Sequence, residues 1–164
     1  MRDRTYIVRR AGAMLMLALL PFASAGAATT PLDFVRKDVQ RRGPGTDRIR
    51  WGALARDRGD LRRLWDRYEQ EGRAPRVRFR RNVAVLAGTG GSGSCRTRLH
   101  DLRLDREHGR VIVRVYTEDP GEGAGCTDDW VPYTFTVAVA RRDLKPLRLG
   151  ELNVRARRIA DPDS

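Results

Sequence analysis

The residue types that could do chemistry gather in two glycine-rich stretches. The first, Val83 to Cys95, reads VAVLAGTGGSGSC, and Gly88, Gly90 and Gly93 within it spell GxGxxG behind an apolar run. In a dinucleotide site such glycines bring the backbone against a pyrophosphate held by the amides of the helix that follows. Residues 95–108 carry no helical stripe, so the spacing predicts a glycine-permitted turn between strands instead. No Gly-Lys-Ser or Gly-Lys-Thr follows to make a P-loop, and Ser92 and Ser94 lack the strand-to-helix setting of a nucleophile elbow. His100 and His108 are the only histidines, and neither has a second histidine or cysteine at metal-ligand spacing. Glu118, Asp119, Asp128 and Asp129 lack an EF-hand spacing and read as a solvated acidic loop. The expectation is a protein that is not an enzyme and takes no cofactor and no metal.

The second stretch, GEGAGCTDDW, holds Cys126, the only other cysteine, and leads into the alternating run Tyr133 to Ala140. Its meaning depends on the compartment. Arg2, Arg4, Arg9 and Arg10 precede an apolar run from Ala11 to Phe22 and then Ala23-Ser24-Ala25, the three regions of a secretory signal peptide. Cleavage after Ala25 is expected, with a secreted or periplasmic product. The apolar run falls short of the roughly 20 residues needed to span a bilayer, so no stable membrane anchor is expected. In an exported protein two cysteines most often pair, and a Cys95–Cys126 disulfide would close a loop of about 30 residues, worth roughly 3 kcal/mol by chain entropy. The alternative is two free buried thiols.

The formal charge is +12, of which residues 1–25 supply a net three, leaving +9 on the mature chain. A chain so basic is drawn to polyanions. Its arginines are interspersed with aspartates rather than gathered with aromatics, which argues against a nucleic-acid platform. Coating of an anionic cell-surface polymer remains as a rival reading.

These residues need a scaffold. Residues 26–47 are rich in Ala, Thr, Pro, Gly and charge and read as a flexible lead-in, with a short helix over 32–41 as one option. Ile49 and Trp51 suggest a short strand. Leu61, Leu64, Trp65 and Tyr68 fall at i, i+3, i+4 and i+7 and predict a helix over 57–70, capped by Asp57 or Asp60 and stopped by Gly72 and Pro75. Period two follows: Val77 and Phe79, the denser Val83 to Leu86, then Thr97 to Leu104 with a bulge after Leu99. A turn at Glu107-His108-Gly109 leads to Val111 to Val115, and a long loop over 118–129 leads to Tyr133 to Ala140. Residues 146–164 form a tail with one more strand over 147–154. One helix followed by strands predicts an α+β domain over 48–145: a small antiparallel sheet, one main helix on one face, and one disulfide.

Leu64-Trp65 in a helix, Pro-Arg-Val-Arg-Phe at 75–79, an apolar strand, Thr89-Gly90-Gly91, the Val111 to Val115 strand and Pro132-Tyr133 come in an order that resembles the C-terminal domain of the PrcB family, over about residues 48–140. These are small exported domains associated with the stability of an extracellular protease complex. The resemblance implies a non-catalytic interaction or stability module whose partner is another exported protein, such as a protease. It also implies a signature loop at Thr89, Gly90 and Gly91, with Pro132 and Tyr133 starting the strand beside it. The chain departs from the family at Ser92, where an aromatic is usual, and in having Cys95 and Cys126. Glycine-freed backbone amides together with Trp130 and Tyr133 at the cross-linked end give the expected partner-binding rim: Thr89, Gly90, Gly91, Ser92, Trp130 and Tyr133. The competing reading is that the two aromatics only cover the end of the sheet.

Overall fold

A computed structural model of the chain describes residues 28–41, 50–121 and 124–162. The expected signal peptide and Ile49 lie outside the described residues. Among the described residues, eight strands form two four-stranded sheets, with one α-helix and one 3-10 turn. In chain order the elements are β1 (Thr29–Leu32), β2 (Phe34–Arg41), β3 (Trp51–Ala55), α1 (Arg58–Arg67), β4 (Asn82–Gly91), β5 (Thr97–Asp105), β6 (Arg110–Thr117), β7 (Val131–Ala140) and β8 (Asn153–Arg158). The first sheet runs β1-β5-β6-β8 and the second β2-β7-β4-β3. The fold is thus a two-sheet, mostly β arrangement rather than a single small sheet.

The apolar alternation of β5 and β6 and the denser runs of β4 and β7 meet between the sheets. Leu102, Leu104, Val111, Val113 and Val115 come from one side and Val83, Val85, Phe135, Val137 and Val139 from the other, all nearly inaccessible to solvent. One sheet is antiparallel throughout, but β6 and β8 are parallel. The chain leaves β7 in the second sheet, turns through 141–152 with Leu144 and Leu152 plugged into the core, and joins the first sheet alongside β6. The tail strand is therefore Asn153–Arg158, later than the alternation at 147–154 suggests.

Two further expectations change. The lead-in carries strands, not a helix over 32–41: β1 pairs with β5 and β2 with β7, so the segment crosses from one sheet to the other at Asp33. Val77 and Phe79 lie outside any strand; they pack with α1 onto the outer face of the second sheet. The bulge after Leu99 and the turn before Arg110 are present, the latter with Gly109 at φ 58. His108 sits in that turn, where the Asp105 carboxylate accepts its backbone N–H at 3.0 Å. This bond and the His108 ring hold the Asp105 carboxyl below the ordinary carboxylate range.

The helix follows its sequence closely. Asp57 caps it by accepting the Asp60 amide at 2.8 Å. Asp60 is itself buried, and desolvation opposes its charge. Bonds from the Arg56 amide and guanidinium, with Arg63 beside them, outweigh that burial and lower its pKa. Leu61 and Trp65 pack on Ala55, Ala84 and Leu86, a second cluster on the opposite face of β4 from the sandwich core.

Candidate functional site: the disulfide-linked rim

Residues of β4 alternate between two environments. Val83, Val85, Ala87 and Thr89 face the core, whereas Ala84, Leu86, Gly88 and Gly90 face outward. The strand does not end at the first glycine; it stays paired with β7 as far as Gly91 opposite Val131. The glycines are there because rings lie across them. A Cβ on Gly88 would run into the Trp51 indole, and one on Gly90 into the six-membered ring of Trp130. Tyr68 stacks in turn on Trp51 with ring centroids 3.6 Å apart and planes 4° from parallel.

Beyond Gly91 the chain turns toward Cys95, which is bonded to Cys126 with the two Cα atoms 5.5 Å apart. The disulfide draws 92–95 and 126–129 together, and short polar side chains fill the space between them. Thr127 N–H donates to Ser94 Oγ at 2.8 Å, Ser92 Oγ lies 3.0 Å from Thr127 Oγ1, and Gly93 N–H donates to Asp129 Oδ1 at 2.9 Å. Asp129 also accepts the Thr127 hydroxyl. These bonds satisfy backbone donors in a segment without secondary structure of its own. Arg158 reaches across from β8 to the Gly90 carbonyl.

The expected rim residues divide. Trp130 is 40 % exposed, the one aromatic among the large hydrophobic side chains of the described residues left open to solvent. Ser92 is half-buried within the hydroxyl cluster and Ser94 is exposed. Thr89 and Tyr133 pair across β4 and β7 and point inward, at 4 % and 5 % exposure, so neither offers a contact surface. Tyr133 instead supports the rim from beneath, its hydroxyl donating to the Ser92 carbonyl at 3.5 Å. Gly90 and Gly91 contribute clearance, the first for Trp130 and the second for Thr97. Reading residues by type groups Tyr133 with Trp130; the register opposite Thr89, set by alternation along β7, separates them.

The carboxylates of the acidic loop serve different partners. Glu118 pairs with Arg98, Asp119 accepts the Gly121 amide, and Asp129 serves Gly93 and Thr127. The GxGxxG glycines run into a loop and then β5, with no helix to present amides to a pyrophosphate. Trp51 and Tyr68 are the residues that the sequence assigns only to a strand and a core stripe, yet they share the outer face of β4 with Trp130. The signal that could have found them is the i, i+2 spacing of Gly88 and Gly90, which leaves two notches on one face of a strand. No known family, curated protein or solved structure matches the chain.

Proposed function

We propose that this is an exported, non-catalytic interaction module that engages another exported protein through the rim centred on Trp130. The observation that carries the reading is an indole exposed on a glycine notch, beside loops already fixed by a disulfide and a set of hydroxyl bonds. Aromatic side chains of this kind supply much contact area for little lost rotamer freedom, and a surface ordered before binding does not lose entropy when the partner arrives. The resemblance to PrcB-type domains supports a partner drawn from a secreted protease complex. Export is supported by the leader-like N-terminus and suits the cystine; among the described residues no helix is long and apolar enough to cross a membrane.

The test is co-purification from native culture fluid with wild type and Trp130→Ala, a change at an exposed position that leaves both cores intact. Wild type should retain an exported protease or its complex, and the variant should lose most of it. A folded Trp130→Ala protein that recovers the same partner in the same amount would remove this surface from the account.

A further inference from the structure

A second feature owes nothing to the rim. Between α1 and the segment 72–79 runs a groove of about 590 Å³. Its base is formed by Leu61, Trp65 and Phe79, and Arg58, Arg62, Arg73 and Arg76 line it with Asp66 as the one carboxylate. Residues 56–81 contain ten arginines against five carboxylates. The neighbouring Arg56 and Arg63 share the carboxylate of Asp60, whereas the four groove arginines form no ion pair with a described residue. Four guanidinium groups brought around one concavity repel one another unless an anion sits among them.

The walls are held in place before any ligand arrives. The Trp65 indole N–H donates to the Gly72 carbonyl at 3.2 Å, tying the far wall to the helix. Gln40 of β2 grips the same segment from the other side. It accepts the Glu71 amide at 2.9 Å and donates to the Glu71 carbonyl at 3.0 Å. Gly72 makes the reversal at φ 67. The volume lies within the range usual for small-molecule sites.

We infer that this groove binds a compact oligophosphate group. A carboxylate's acceptor directions lie in one plane, as where Asp60 serves Arg56 and Arg63 on one side of the helix, whereas a phosphate chain presents oxygens in several directions to forks from both walls. The probe is tripolyphosphate, titrated calorimetrically into the mature protein in 150 mM NaCl. Citrate serves as the carboxylate counterpart and poly(glycerol phosphate) as an extended one. Arg62→Gln with Arg73→Gln removes two charges from opposite walls. Arg155→Gln with Arg157→Gln removes two from exposed positions on β8 and is the control.

Wild type should bind saturably, with perturbation of the Trp65 indole N–H and Gly72 amide resonances. The groove pair should weaken binding at least tenfold and the β8 pair less than twofold. Equal loss in both pairs would mean charge alone and overturn the inference, as would absence of saturable binding. Citrate binding as tightly, or the polymer binding as tightly per phosphate, would overturn the choice of a compact oligophosphate. None of these outcomes depends on whether Trp130 meets a partner.

Discussion

The two faces of β4 are both buried, yet by different means. Its inner face meets a second sheet through Val83, Val85 and Ala87, branched or small side chains interlocked with those of β5 and β6. Its outer face meets a helix at one end, where Leu61 and Trp65 lie on Ala84 and Leu86, and single aromatic rings at the other, where side chains vanish altogether. An apolar surface can be closed by an opposing layer or by lone rings set into notches. The second closure leaves its rings nearer to solvent, and Trp130 is the one that ends exposed among the described aromatics.

The comparison is sharpest if each closure is broken in turn. Phe135→Ala empties the inner face between the sheets and should lower stability by about 3–5 kcal/mol. Urea unfolding followed by far-ultraviolet dichroism should show one cooperative transition at a lower midpoint. Retention of the wild-type midpoint would mean that the sandwich core is not the chief source of stability. Removing the cystine with Cys95→Ala and Cys126→Ala should cost roughly 2–4 kcal/mol by freeing a loop of 31 residues in the unfolded chain. Hydrogen exchange should rise first at 92–95 and 126–129, with the helix amides around Trp65 still protected. If the helix loosens at the same rate, the rim and the helix end form one cooperative unit and the distinction between them fails.

Gly90→Val fills the notch under Trp130 and should cost about 1–3 kcal/mol through overpacking. The displaced indole should also become more accessible, read as stronger acrylamide quenching than in wild type. Unchanged quenching would show that the ring does not rest on Gly90. The smallest effect belongs to the solvent-facing side of the other sheet, where charge replaces apolar cover. Hydrogen bonds from Arg114, and then from Arg103, hold the Asp101 carboxyl below its ordinary range despite partial burial. A carboxyl lowered on folding contributes stability that is present above its unfolded value near 3.9 and is lost as pH falls through the folded value. Asp101→Asn should therefore flatten the fall in urea midpoint below about pH 4 and cost about 1 kcal/mol or less at neutral pH. An identical acid slope in the variant would exclude this carboxylate as a source of it.

Much of the scaffold could be read from residue pattern, because periodicity reports which face is buried. The stripe Leu61, Leu64, Trp65 and Tyr68 gives the helix, and alternation gives β6 and β7. The bulge after Leu99 shows as a break in the same alternation, and the cystine follows from two cysteines in glycine-rich loops. Strand β2 could not be read this way. At the border of a sheet Val35 and Val39 stay 58 % and 42 % exposed, with Arg36, Lys37 and Asp38 between them, so no alternation of buried and open positions marks it. The glycines misled for a different reason: a residue without a side chain looks like a break in pattern, although here it marks where a distant ring must fit. Nor does a linear pattern reveal that arginines on α1 and on 73–76 face one another across a groove. That arrangement depends on Trp65 and Gln40 holding the intervening turn.

Strand β2 has a register shift between Arg36 and Asp38, which places Lys37 as an extra residue opposite β7. On the far side of the sandwich the two sheets close on each other, for Gly52 of β3 lies against the backbone of Val154 in β8. Among the described strands β1, β2, β3 and β8 stand at sheet borders; β3 and β8 lie against each other, whereas β2 has no such neighbour strand beyond β7. An open, flat strand invites a second molecule to add itself to the sheet, the first step toward fibrillar assembly. The bulge twists β2 away from flatness, and Arg36 and Lys37 charge it against a copy of itself. The same strand that completes the fold thereby carries the twist and the charge that disfavour such addition.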